Sequence, residues 1–135
     1  MSDCLKKEIK GQKLKPEEYS PLLLAYIGDA VYEVFVRTHL IKKGNLPVNE
    51  LHKLSKGFVS AGAQSKKIAI LEPYLTEDEM RIFKRGRNAK TGTVPKNADV
   101  GDYHRATGME ALVGFLYLKG EFDRLYELME KIIIE

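Results

Sequence analysis

Residues 21–41 read PLLLAYIGDAVYEVFVRTHLI, and the fold turns on how this stretch is read. Ser20 suits a helix N-cap, and Pro21 suits the first helical position. Apolar residues fall nearly all round the helical wheel, which marks a helix buried on most sides. The run is too long for a strand, although Val34, Phe35 and Val36 have β preference. Lys42, Lys43 and Gly44 then supply a positive end and a glycine stop. One acid, Asp29, interrupts the greasy segment LLLAYIGDAVY.

Outward from this helix the chain keeps a helical period. A second nearly all-apolar helix is predicted from Asp102 to Lys119, stopped by Gly120 and interrupted by Glu110. Between the two, residues 48–71 place Leu51, Leu54, Phe58, Ala61 and Ser65 at three- and four-residue spacing, as one helix or as two broken near Gly62. Pro73 ends that segment. Thr76 caps a helix with Glu77, Asp78 and Glu79 in its first turn, and this helix runs into Lys84-Arg85-Gly86-Arg87-Asn88. Residues 91–101, TGTVPKNADVG, are a loop by composition. Residues 121–134 form a last amphipathic helix with Phe122, Leu125, Tyr126, Leu128, Met129 and Ile132 inward. Residues 1–15, with five lysines against Asp3 and Glu8, are a solvated basic lead-in or a first short helix. No segment alternates with a period of two. The expected architecture is all-α, about six helices in one compact domain spanning 1–135.

Composition agrees with a globular chain: 135 residues, 44% hydrophobic and 30% charged. No apolar run approaches the length of a membrane helix, and the first twenty residues lack the apolar core of a secretory signal. The single cysteine, Cys4, excludes an intramolecular disulfide framework and a cysteine-based zinc site. The cytoplasm is the expected location. The net charge of +3 is compatible with a nucleic-acid partner without establishing one.

Asp29 and Glu110 carry the chemical signal. A lone carboxylate among apolar residues is expensive unless it is paired or metal-bound. Gly28 adjoins Asp29 and Gly114 follows Glu110 by one turn, which hints at close backbone packing. If the two helices lie side by side, the acids converge on one point, and hard oxygen ligands of this kind suit Mg²⁺ or Mn²⁺. The competing reading makes each acid half of a structural ion pair with Arg37, Arg105 or Lys119. Glu33, one turn after Asp29, reads as a salt-bridge partner in preference to a second-layer metal ligand.

Positive charge is concentrated in residues 81–105, where seven Lys/Arg face two Asp; against a total of +3 this leaves the rest of the chain negative. Arg85, Arg87, Asn88, Lys90, Lys96 and Arg105 are the candidate RNA-binding residues, with Thr91, Thr93, Asn97, Tyr103 and His104 interleaved as hydrogen-bonding groups. Lys53, Lys56, Lys66 and Lys67 extend the same surface. A solvated charged loop is the plainer alternative. His39, His52 and His104 form no metal-ligand or triad spacing, and P-loop and hydrolase-elbow motifs are absent.

These residues carry a resemblance. Ala25-Tyr26-Ile27-Gly28-Asp29-Ala30-Val31 resembles the ribonuclease III signature helix, Glu-Phe-Leu-Gly-Asp-Ala/Ser-Val, and Glu110-Ala-Leu-Val-Gly-Phe-Leu-Tyr-Leu resembles the later helix of that domain. Two of the family's usual four acids are replaced, by Ala25 and Thr107, and no double-stranded-RNA-binding domain is expected after Glu135. Together with KRGRNAK, PKNADVGDY and RATGMEALVG, these departures look like the Mini-ribonuclease III family. The resemblance implies a Mg²⁺-dependent, homodimeric endoribonuclease (Mn²⁺ as a possible substitute). It implies cleavage of double-stranded RNA to 5′-phosphate and 3′-hydroxyl products, in bacteria the maturation of the 23S ribosomal RNA precursor, with help from a ribosomal protein conceivable. It makes Asp29 and Glu110 both catalytic and metal-binding. The rival is a non-catalytic RNA-binding or ribosome-associated protein on a degenerate version of this fold, favoured by the two missing acids. A helical interaction module leaves the local positive charge unexplained.

Overall fold

The computed structural model describes residues 2–90 and 94–133, and within them every regular element is helical. Seven α-helices run in chain order: α1 (Ser2–Ile9), α2 (Pro21–Ile41), α3 (Val48–Val59), α4 (Ala61–Leu71), α5 (Glu77–Arg87), α6 (Val100–Leu118) and α7 (Phe122–Ile132). Single 3₁₀ turns stand at Pro16–Glu18 and Glu72–Tyr74. The all-α expectation holds, with one helix more than the six expected. The extra one comes from the lead-in, which is helical over α1, and from residues 48–71, which divide in two. The division falls at Ser60 and not at Gly62: the Ser60 hydroxyl accepts from the Ala63 amide at 3.2 Å and caps α4. The break also shifts the inward stripe of α3 to Leu51, Ser55 and Phe58, leaving Leu54 exposed. Thr91, Thr93 and the end of the 121–134 helix expectation lie outside the described residues.

Caps follow the sequence closely. The Ser20 hydroxyl accepts from Leu23 N at 3.2 Å. Thr76 and Glu79 exchange the two bonds of a capping box at the start of α5. The start of α6 lies two residues earlier than expected, because Asp99 accepts from Asp102 N at 2.9 Å and recruits Val100 and Gly101 into the first turn.

The centre of the molecule is α6, not α2. From Ala106 to Leu116 every residue is buried except half-buried Glu110. On one side α6 packs against α2, on the others against α4, α5 and α7. By contrast α2 buries one row, Leu24, Gly28, Tyr32, Val36 and Leu40, with Ala25 beside it, and leaves Leu22, Leu23, Tyr26, Val34 and Ile41 exposed. Its expected burial on most sides is therefore not met within one chain. In α7, Leu125, Leu128, Met129 and Ile132 point inward as expected, while Tyr126 is exposed. Burial of each large apolar core residue contributes about 1.5–3 kcal/mol, several times its helix propensity, so packing on α6 sets the stability. Arg124 clamps α7 to α5 through Glu79 at 2.8 and 2.9 Å. Burial opposes the Glu79 charge, but the guanidinium overcomes it and holds the carboxyl below its ordinary value.

Candidate active site

The two helices that carry Asp29 and Glu110 touch backbone to backbone. A methyl group at Gly28 would overlap the Glu110 carbonyl and stand 2.8 Å from Gly114 N. A methyl at Gly114 would overlap the Leu24 carbonyl. These two glycines let α2 and α6 approach more closely than any side chain permits. The crossing sets Asp29, one residue after Gly28, against Glu110, four residues before Gly114.

Their carboxyls meet within hydrogen-bonding reach. Burial first, then the Asp29 charge and the hydrogen bond with Asp29, push the Glu110 carboxyl from 4.5 up to about 8; Glu33 adds to the rise and the Gln64 amide opposes it. The ion-pair reading fails for both acids. Arg37 is taken by Glu33 at 2.7 Å, Arg105 by Glu72 at 2.6 Å, and Lys119 lies 3.9 Å from Glu121. None of the ion pairs among the described residues includes Asp29 or Glu110. Glu33 is the salt-bridge partner the sequence suggested.

A cavity of about 440 Å³ opens beside the pair, lined by Ala25, Tyr26, Asp29, Tyr103, Thr107 and Glu110 among others. Ala25 and Thr107 thus stand next to the two acids, and their short side chains leave open space there. The Thr107 hydroxyl donates to the Tyr103 carbonyl at 3.0 Å and closes on its own helix. Two adjacent carboxylates with no basic partner are a donor set that fits Mg²⁺, which takes one or two carboxylates and keeps its remaining waters. Among the described residues no cluster of three or more His, Cys, Asp or Glu side chains forms a larger cage.

The basic segment divides into free and engaged groups. Lys90, Lys96 and Asn88 are exposed. The Arg87 guanidinium stacks 5.6 Å from the Phe83 ring centroid and reaches Asn88 Oδ1 at 3.4 Å. Arg85 donates to the carbonyls of Glu17 and Tyr19 at 3.1 and 3.3 Å, which ties residues 17–19 to α5. Arg105 donates to Ser65 and Glu72 and is half-buried. Lys67 reaches the Ile132 carbonyl at 2.7 Å. The basic end of α5 packs on α6, the helix that carries Glu110. Gly86 packs on Gly108, and a methyl there would stand 3.2 Å from the Thr107 carbonyl, one turn from Glu110.

One residue at the site is invisible to the motif reading. Gln64, on α4, is 3% exposed and sits beside Glu110. The sequence signal for it is faint: an amide one residue before Ser65, on the inward side of a helix whose other inward residues are mostly apolar.

Comparison with known proteins agrees with this arrangement. Residues 22–121 match the ribonuclease III domain family. The chain is 50% identical over 130 residues to Mini-ribonuclease 3 of Clostridium tetani, covering 96% of this chain and 85% of that one. It is 48% identical over 116 residues to Mini-ribonuclease 3 of Brevibacillus brevis, covering 86% and 87%. A crystal structure of a protein from Fusobacterium nucleatum superposes with a TM-score of 0.78 at 32% identity, over 87% of this chain and 93% of that one. A domain match over residues that include both acids, relatives near half identity along most of the chain and a shared fold lead to one conclusion: the chain belongs to the Mini-ribonuclease 3 family, a branch of the ribonuclease III-type endoribonucleases.

Proposed function

We propose that Asp29 and Glu110 hold Mg²⁺, with Mn²⁺ as a working substitute, and that with it this ribonuclease cuts double-stranded RNA, its substrate being the 23S ribosomal RNA precursor in the cytoplasm. The observation that carries the reading is the pair itself. Two carboxylates are brought together without a counter-cation, and one is held protonated near neutral pH. When bound, the ion supplies a water activated as nucleophile and neutralises charge on the scissile phosphate. Water oxygen then bonds to phosphorus, the phosphorus–O3′ bond breaks, and the products are a 5′-phosphate and a 3′-hydroxyl.

The protein's own part is to supply and orient negative charge. Glu110 gives up its proton near neutral pH only where a cation takes the proton's place beside Asp29. Ala25 and Thr107 leave the adjacent cavity open for a ribose-phosphate segment. Arg87, Asn88, Lys90 and Lys96 are the groups that would offer phosphate and 2′-hydroxyl contacts. Arg85 and Arg105 contribute charge while holding the fold together. A-form RNA presents its wide minor groove, so recognition is by shape, and a ribosomal protein that bends or presents the precursor stem can add selectivity.

The working form is a two-fold homodimer. The exposed apolar row of α2 supports this, since Leu22, Leu23, Tyr26 and Val34 are 42%, 55%, 79% and 57% exposed on one helix. A non-catalytic RNA binder is disfavoured, because it would gain stability by losing either acid. Purified protein should cut a precursor stem with Mg²⁺ and leave it whole with EDTA. Asp29→Asn and Glu110→Gln should each lower turnover by about a thousandfold or more with the helical fold intact, because groups that act as a unit fail together. Cleavage that persists in EDTA, or near-normal turnover by either folded variant, would overturn the reading.

A further inference from the structure

Gln64 poses a physical problem that packing does not answer. It lies in the first turns of α4, is 3% exposed, and its inward neighbours Ile68 and Leu71 are apolar. Burying an amide is favourable only when its polar atoms find partners. Nε2 donates to the Val59 carbonyl at 3.0 Å, at the end of α3. Oε1 is buried and has no partner. A methionine of similar volume would fill the same space without an orphaned acceptor. The amide is therefore a poor stabiliser, and its use lies in what its donor side meets.

The amide also lies beside Glu110 and favours its charged form, as a donor turned toward a carboxylate does. The anchor behind the amide is firm. The Val59 carbonyl belongs to the α3–α4 corner, and the preceding carbonyl, of Phe58, accepts from the Tyr32 hydroxyl at 2.8 Å. Tyr32 is buried on α2, three residues after Asp29. A continuous path thus runs from the helix that carries one acid, through Tyr32 and the corner, to Gln64 and the other acid. Partners of this second layer fix the orientation of metal-binding carboxylates, and their loss typically weakens metal affinity or activity 10–100-fold.

We propose that Gln64 is a positioning residue: pinned on the Val59 carbonyl, its amide holds the Glu110 carboxylate in the orientation from which it and Asp29 bind one divalent cation. The proposal rests on the reading of Asp29 and Glu110 as the metal pair. It concerns a residue of α4, outside both helices that supply the acids.

The test compares wild type with Gln64→Met, which keeps the volume and removes the donor, and with Gln64→Asn, which keeps the amide one methylene short of its reach. Mn²⁺ affinity of RNA-free protein is measured by titration calorimetry, beside kcat and KM on a duplex substrate and the thermal midpoint. Mn²⁺ affinity and kcat should fall roughly 10–100-fold in either variant. KM for RNA should stay within about threefold, and the midpoint of Gln64→Met should be unchanged or higher, because the orphaned acceptor is gone. Wild-type Mn²⁺ affinity in a folded variant overturns the proposal, whether kcat is retained or falls together with the thermal midpoint as for a purely structural residue. If Asp29→Asn and Glu110→Gln abolish Mn²⁺ binding while both Gln64 variants bind normally, only the positioning role falls. If neither acid variant weakens Mn²⁺ binding, the metal pair falls and the positioning role with it.

Discussion

At the scale of single residues, the distinctive feature is a carboxyl that is ordinary in sequence and unusual in place. Glu110 keeps its proton up to about pH 8 because burial and Asp29 both oppose its ionisation. The folded chain thus binds a proton between about 4.5 and about 8 that the unfolded chain has released. Stability from this group is fully present below the lower value and is lost as pH rises through the upper one. Metal-free protein should show a thermal midpoint that declines across this window, and Glu110→Gln should flatten the decline. Mg²⁺ at the proposed site would displace the same proton, so its apparent affinity should rise about tenfold per pH unit below pH 8 and level off above. Calorimetry at pH 7 in two buffers of different ionisation enthalpy should register close to one proton released per ion bound; a value near zero would mean Glu110 does not hold that proton. Asp29 and Glu110 were legible in the sequence because an acid in a greasy helix needs a reason. Gln64 was not, because an uncharged amide among half-polar neighbours gives no such signal.

Helices explain why those residues meet. Only Gly28 and Gly114 let α2 and α6 cross at backbone contact, so Gly28→Ala should force the helices apart at the acids and cost about 3 kcal/mol, read by urea unfolding. Gly57 is the control: nothing lies within 4 Å of its added methyl on α3, and Gly57→Ala should add about 0.5–1 kcal/mol. Equal effects at the two sites would remove the crossing argument. The caps at Ser20 and Thr76 and the course of α2, α5 and α6 were readable, since each rests on local chemistry. The break at Ser60 was harder to place, because a serine N-cap inside a continuous apolar period looks like any helical serine. The basic end of α5 was legible as charge but not as duty, since only the tertiary structure turns Arg85 onto two carbonyls and Arg105 onto Glu72. RNA affinity should accordingly respond to the free groups. Combined Lys90→Ala and Lys96→Ala should reduce the slope of log affinity against log salt by about one to two units, whereas Arg85→Ala should mainly lower the thermal midpoint. An unchanged slope in the double variant would make the segment a solvated surface.

For the whole molecule, the exposed row lies on α2, the helix that also carries Asp29, and the proposed homodimer would tie assembly to chemistry. A helix that is apolar on most sides calls for enclosure by its own subunit or for burial against a second copy. The chain alone does not enclose it, since Tyr26 is 79% and Leu23 55% exposed while α6 takes the central place. An isologous contact through this row would set two copies of the Asp29–Glu110 pair about one axis, near the interface and facing opposite strands of a duplex. In the proposed dimer each pair would serve one phosphodiester, so a duplex cut would need both. The consequence is sharp when the copies differ. A heterodimer of wild-type and Asp29→Asn chains, isolated by two tags, should nick one strand of a duplex substrate and leave the other whole, while its RNA affinity stays within about threefold of wild type because the basic surfaces are untouched. Val34→Glu, which puts a charge into the row and away from the acid cavity, should shift the protein to a monomer in sedimentation and lose double-strand cleavage with it. Cutting of both strands by the heterodimer in one binding event, or full activity from a species that sediments as a monomer, would mean that one chain carries out both cuts and that the apolar row serves some other contact.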